Sequence, residues 1–304
     1  MKLTIPWQQT SKDMTKAFVK STEFTVRNHN DGYEIPCKLR LASSKKNKLR
    51  ASVLLIHGGM FSKGDRESHA PLAEALAGLG LAVLTATFRD GSTTTHNTGI
   101  TFQDLSSLVA YMKETYSNIP FGLIGSSSGG YFALALACSR NEHALLPGTV
   151  DFCVPICPVA NPHTRAMYLR HCIEGTTPLP NGKDPYPLRH DPTRAKEILE
   201  NQLKYWENYK SMSEAGKELM VNVTGVPTLL ILGSADRNIP PQVTHRVEFW
   251  ATRTIVVGGA GHEIQTTPPS DPKQSYLEDV DRFLHIILEE DDTALVGVKK
   301  PWCC

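Results

Sequence analysis

Three residues stand out for the chemistry their types and order allow. Ser127 is the centre of Gly125-Ser126-Ser127-Ser128-Gly129, Asp236 lies in LLILGSADRNIP, and His262 lies in IVVGGAGHEI. A serine hydroxyl is a poor nucleophile at neutral pH. It needs a base to take its proton and a third group to hold that base. A serine, an acid and a histidine fill those roles, and the chemistry would be nucleophilic attack on a carbonyl. Three serines crowd the loop, but only Ser127 has glycine two residues before and two residues after it. The five-residue pattern alone is weak, because a flexible turn of small residues has the same composition. Asp236 has a second reading as a cap for a helix starting near Pro240, and Glu263 is an alternative acid.

The elements around these residues give the pattern its weight. FGLIG (121–125) is a short apolar strand and GYFALALACSR (130–140) an apolar helix, so Ser127 falls in a strand–turn–helix setting. VPTLLILG (226–233) and TRTIVVGG (252–259) read as strands, with Asp236 and His262 just past them. Open α/β sheets place their sites at such carboxyl ends. Upstream, TEFTVRN (22–28) and EIPCKLRLA (34–42) read as a hairpin around Asp31-Gly32. SVLLIH (52–57), LAVLTATF (81–88) and VDFCVPIC (150–157) are further strands. Helices are expected over 69–80, 102–116, 241–250 and 275–290.

Strand–helix alternation of this kind predicts a parallel sheet with helices on both faces. Residues 158–224, rich in Pro, Arg, His and Tyr with one helical piece over 194–209, break the rhythm. They read as a cap inserted between core segments 21–157 and 225–290. Residues 1–20 read as an extension and 291–304 as a loose tail.

A tetrahedral intermediate needs backbone donors for its oxyanion. One candidate is the N–H of Ser128. Another comes from His57-Gly58-Gly59-Met60, which resembles an HG-type oxyanion loop, with Gly59 preferred over Met60 and His57 bracing the loop. In the cap, Tyr168, Tyr205 and Trp206 are candidates for lining a substrate pocket, as is Tyr209; an aromatic helix face also serves simple packing. Arg165 and Arg170 suit a carboxylate or a solvated surface.

The HGG loop, GSSSG, GSAD and GAGH, in this order, resemble the α/β-hydrolase superfamily over residues 21 to 290. The stretches HGGMFSKGDRESHAPLAEALAGLGLAVLTATFRD and PVANPHTRAMY are similar to esterase and prolyl-oligopeptidase-like members. The resemblance implies an α/β-hydrolase fold with a mostly parallel central sheet and a small helical cap. It also implies hydrolysis of esters, thioesters or small amides without a cofactor or metal. One departure is Phe88-Arg89-Asp90-Gly91, a variant of the usual Asp-x-Arg-Gly turn, in which Arg89 reads as a structural ion pair. The same three residues are compatible with an acyltransferase, a cyclase, a lyase or an amidase, and a non-catalytic binding protein on this fold is the reading from another class.

Composition narrows the partners. The chain has 304 residues, net charge +1 and no long basic run, which argues against a nucleic-acid partner; Lys45, Lys46 and Lys48 read as a solvated cluster. No apolar run suits a signal peptide or a membrane helix, so a cytoplasmic protein acting on a small ester or acyl substrate is expected. The oligomeric state is open, with a homodimer one option. Seven cysteines lack a CxxC pair; Cys153 and Cys157, four apart, would share one side of a strand as buried thiols. The sequon at Asn222-Val223-Thr224 reads as chance. A lipidation reading of Cys303-Cys304 is weakened by Pro301, which occupies the cysteine position of the four-residue prenylation box.

Overall fold

The computed structural model describes residues 19–42, 48–90, 98–138, 145–175, 186–205, 226–248, 251–264 and 276–288. The readings placed on Lys45, Lys46, Gly91, Trp206, Tyr209, the 222–224 sequon, the N-terminal extension and the 303–304 cysteines lie outside them.

Eight strands form one sheet. β1 (Val19–Arg27) and β2 (Glu34–Ala42) make the hairpin expected from Asp31-Gly32. β3 (Ala51–Ile56), β4 (Leu81–Ala86), β5 (Phe121–Ser126), β6 (Phe152–Ile156), β7 (Leu229–Gly233) and β8 (Arg253–Val257) follow. The order across the sheet is β1-β2-β4-β3-β5-β6-β7-β8. β2 runs antiparallel to β1 and β4, and from β4 to β8 all neighbours are parallel. The carboxyl ends of β3, β5, β6, β7 and β8 therefore share one edge, where the candidate residues collect.

The central strands are buried along their whole length and mostly apolar because both faces are covered. Alternate residues serve the two faces. Leu54 and Ile56 of β3, Leu123 of β5 and Leu230 and Leu232 of β7 enter one core, while Val53, Leu55, Ile124, Leu229 and Ile231 enter the other. The first core lies under α2 (Thr98–Thr115) and α3 (Ser128–Ala137); the second lies under α1 (Ala70–Gly78) and α7 (Tyr276–Leu288). α6 (Pro241–Glu248) follows β7. The fold class expected from the alternation is the one found. Boundaries move by a few residues: α2 begins earlier than expected, and α3 begins at Ser128, within the GSSSG stretch.

Between β6 and β7 stand α4 (Pro162–Glu174) and α5 (Pro192–Tyr205), packed against each other. α4 starts with Asn161 accepting the Thr164 N–H at 3.0 Å and with Pro162 in its first turn, and it ends on left-handed Gly175. The cysteine expectation needs one correction. Cys153 and Cys157 are both buried free thiols, but they enter opposite cores. Cys157 lies past the end of β6 with φ of 42°, so the strand alternation no longer applies to it. Arg89 is the expected ion-pair hub: it bonds buried Asp104 and Asp31, each at 2.6 Å, and lies over the Tyr33 ring. Among the described residues, no helix is long and apolar enough to cross a membrane.

Candidate active site

The turn between β5 and α3 forces Ser127 into a rare backbone conformation, φ 54° and ψ −119°. Such strain costs about 1–3 kcal/mol and persists only where surroundings over-determine it. Here they do. The Ser127 N–H donates to the Ile156 carbonyl at 3.0 Å, and its own carbonyl accepts from Val159 (3.0 Å) and Tyr131 (3.2 Å). The flanking glycines are required by close approach. A Cβ on Gly125 would lie 2.2 Å from the Gly129 carbonyl oxygen, and one on Gly129 would lie 2.2 Å from that of Ile56. The strained turn leaves the Ser127 hydroxyl at the sheet edge, beside the first residue of α3.

Two loops bring the other candidates to that hydroxyl. The loops after β7 and β8 are stitched together by backbone bonds from Ser234 to Val257 (3.0 Å) and from Ala235 to Ala260 (2.9 Å), with Gly259 donating to the Ser234 hydroxyl (2.7 Å). His262 Nε2 lies 3.0 Å from Ser127 Oγ, and His262 Nδ1 lies 2.8 Å from Asp236 Oδ2. Asp236, not Glu263, meets the ring, and Glu263 is exposed. With Nδ1–H donating to the carboxylate, Nε2 is left as the acceptor for the serine proton.

Asp236 is fully buried. Burial alone would raise its pKa, but His262 and the N–H groups of Ile239 and Asn238 more than offset it, so the carboxyl is lowered and stays ionised. Both N–H groups donate to Oδ1 at 2.8 Å. One oxygen of Asp236 thus closes the turn over residues 236–239, before the helix that begins at Pro241, and the other meets the His262 ring. The Cys157 thiol also donates to this carboxylate, and burial pushes it well above the usual thiol range. Ligand atoms of Cys157, Asp236 and His262 lie within 4.8 Å of one another. A metal there would need the thiolate that burial disfavours, and these hydrogen bonds account for the grouping.

The oxyanion candidates sit beside the same turn. Ser128 is the first residue of α3, where backbone N–H groups have no helical acceptor. Opposite stands the loop after β3. The Gly59 carbonyl accepts from Ser62 and Lys63, each at 3.1 Å, closing a tight turn in which Met60 (φ 58°) and Phe61 (φ 63°) are both left-handed. His57 braces this loop: it is buried, stacks on Phe88 at 4.2 Å, and its Nδ1 lies 2.8 Å from the Gly58 carbonyl.

Sequence reasoning missed His69. Its Nδ1–H donates to the Ser68 carbonyl (2.8 Å), so its Nε2 is an acceptor, and that one nitrogen meets the Gly58 N–H (3.2 Å) and the Ser126 hydroxyl (2.7 Å). No local signal marks this histidine, whose partners come from two other strand ends.

The cap residues need correction. Tyr168 is fully buried, and its hydroxyl donates to the Arg237 carbonyl, with that of Leu188 also 3.0 Å away, so it anchors the loop carrying Asp236 and has no surface left for a substrate. Tyr205 is buried as well, stacked on Phe61 at 4.9 Å. Arg165 is not solvated: it is fully buried and donates to Gln202 of α5 (3.1 Å) and to Asn238 beside the acid. Arg170 is exposed. A cleft of about 660 Å³ lies at the β1–β2 turn, lined by residues such as Arg27, Asp31, Tyr111 and Glu114, and includes none of these groups.

A doubly wound α/β sheet with a strained serine turn, a histidine against the serine and an acid behind the histidine defines a class of protein. A family model described as the alpha/beta hydrolase family matches residues 53–276, and the chain belongs to that family. No curated protein matches the sequence. Among solved structures the chain is similar to esterase B from Lactobacillus rhamnosis, with TM-score 0.68, 17% identity and coverage of 91% of this chain and 89% of that one. It is also similar to a hyperthermophilic esterase from the archaeon Pyrobaculum calidifontis (TM-score 0.65, 16% identity, 88% and 86% coverage). A third is carboxyl esterase 2 from the mycorrhizal fungus Tuber melanosporum (TM-score 0.64, 16% identity, 92% and 89% coverage). At these identities the likeness is one of fold.

Proposed function

We propose that the protein is a serine hydrolase that cleaves a carboxylic ester or thioester of a small organic substrate through an acyl-enzyme on Ser127. The observation that carries this reading is the continuous contact from Ser127 Oγ to His262 and on to Asp236, at 3.0 and 2.8 Å. The esterase names of the structural neighbours agree with it.

His262 Nε2 takes the Ser127 proton as Oγ attacks the substrate carbonyl carbon. The imidazolium so formed is held by ionised Asp236, which also fixes the tautomer. The carbonyl oxygen becomes an oxyanion, met by the N–H groups of Ser128 and of Gly59 or Met60. Collapse expels the alkoxide or thiolate, which takes the proton from His262. Water then attacks the acyl-enzyme with His262 again as base, and the acid leaves. No step calls for a metal or cofactor. The cap, residues 158–224, would bear on substrate choice, and a cytoplasmic setting remains part of the same reading.

A chain-length series of model esters, run beside aminoacyl amides with Ser127→Ala as control, tests the reading. Ester turnover lost in the variant, with amides untouched, is expected. Amide cleavage at comparable rates would replace the esterase reading with an amidase one. Transfer to an added alcohol or amine outcompeting hydrolysis would replace it with acyl transfer.

A further inference from the structure

The serine turn and the oxyanion loop are separate pieces of chain, after β5 and β3, and the proposed chemistry needs them held in register. The β3–β5 ladder does not itself fix this spacing, because that pairing ends at Ile56 and Gly125, before the residues that matter. One buried atom spans the gap. His69 Nε2 receives the Gly58 N–H from the oxyanion loop at 3.2 Å and the Ser126 hydroxyl from the serine turn at 2.7 Å. The ring's other nitrogen is committed to the Ser68 carbonyl at 2.8 Å, which fixes the tautomer with Nε2 bare. His69 occupies the N-cap position of α1, whose Leu72, Ala73, Leu76 and Ala77 are buried against the sheet, so its own position is rigid. Burial, with a smaller effect from neighbouring His57, pushes the His69 pKa down to about 4, so the acceptor persists at neutral pH.

The space between the two loops leaves no slack. A Cβ on Gly58 would come within 2.9 Å of the Ser126 carbonyl oxygen and 3.0 Å of Ser127 Cβ. The loop beyond Gly58 holds consecutive left-handed non-glycine residues, Met60 and Phe61, a conformation that relaxes unless held from outside.

We propose that His69 is a positioning residue that brackets the oxyanion loop to the serine turn, fixing the Gly59 and Met60 N–H groups relative to Ser127. The inference rests on the hydrolase reading above. His69 touches no reacting atom in this scheme; it acts through Gly58 and Ser126.

The test uses the full chain, a model ester and a fluorophosphonate probe. His69→Leu removes the acceptor at similar volume, whereas His69→Gln returns one near the Nε2 position. A misplacement of about 1 Å is enough to cost on the order of 100-fold in rate. We expect kcat to fall about 10- to 100-fold in His69→Leu with KM nearly unchanged, and His69→Gln to recover most of it. Ser126→Ala, a milder change that keeps the fold, should lower kcat less, and its effect should vanish in the His69→Leu background. Thermal unfolding of each variant identifies any that do not fold, and the Ser126→Ala and His69→Gln pair then carries the test. Unchanged kcat in folded His69→Leu would overturn the bracket. So would additive effects in the double variant, or equal losses in Leu and Gln. Labelling of Ser126 in Ser127→Ala would also overturn it, since His69 would then be a base. Failure of the wild type to label at all would overturn the hydrolase reading and this role with it, an outcome distinct from the others.

Discussion

The two flanks of Ser127 are built by different means. On the acid–base flank, Asp236 and His262 ride on adjacent loops after neighbouring parallel strands, joined by short backbone bonds such as Ala235 to Ala260. On the oxyanion flank, the loop with the left-handed Met60-Phe61 turn is held by side chains from outside it, His69 at the start of α1 on Gly58 and the distant Tyr205 at the end of α5 on Phe61. The first flank rests mainly on the sheet, with Tyr168 and Arg165 of α4 bonding the loop that carries Asp236. The second needs the sheet, the start of α1 and helix α5 to agree. Damage on the first should therefore be chemical with the fold intact, while damage on the second should be geometric and should reach the site from a distance.

The largest effects belong to the acid–base flank. His262→Ala should lower kcat/KM by about 10⁴-fold or more, with an unfolding midpoint close to the wild type's, since the ring is partly exposed. Asp236→Asn should cost about 10³- to 10⁴-fold, because the amide meets His262 Nδ1 with a donor and favours the wrong tautomer. Near-normal kcat in Asp236→Asn would mean that another group holds the ring.

Next comes the oxyanion flank. Tyr205→Ala should remove the stacking that backs Phe61, lowering kcat about 10- to 100-fold and stability by about 3–5 kcal/mol, whereas Tyr205→Phe should retain both. If Tyr205→Ala loses stability but keeps kcat, the cap is not coupled to the oxyanion loop and the contrast between the flanks weakens.

The smallest effect is the response of stability to pH. Burial, with a smaller effect from His57, holds the His69 pKa at about 4 in the folded chain, below the ordinary histidine value of 6.5. Between these values the unfolded chain binds more protons than the folded one, so stability falls as pH drops from about 6.5 to 4 and levels off below. The His69 contribution is about 3 kcal/mol at most. His57, also lowered by burial, adds a slope of the same sign. Denaturant unfolding at several pH values should therefore show a shallower acid slope in His69→Gln than in the wild type. Identical slopes would mean that His69 does not titrate this way.

This contrast also explains what the sequence reveals. The sheet and the order Ser127, Asp236, His262 are legible because apolar runs and the glycines beside them are local signals. The site's supports are not, since their partners are distant: His69 meets Ser126 fifty-seven positions away, and Arg165 meets Asn238 seventy-three away. Arg165 reads as a surface residue because its charge is visible in the chain while the amides that receive it are not. Tyr168 and Tyr205 read equally as pocket lining or as packing for a related reason. A buried aromatic and a lining aromatic have the same spacing on a helix, and only the occupied volume around Phe61 and Arg237 separates them.

The central claim is that Ser127 is an activated nucleophile, and covalent labelling tests it most directly. Incubation with a fluorophosphonate should give one adduct per chain, mapped to the Ser127 peptide, absent in Ser127→Ala and slowed strongly in His262→Ala. A folded wild-type protein that takes up no label, or takes it up at another serine, would contradict the account.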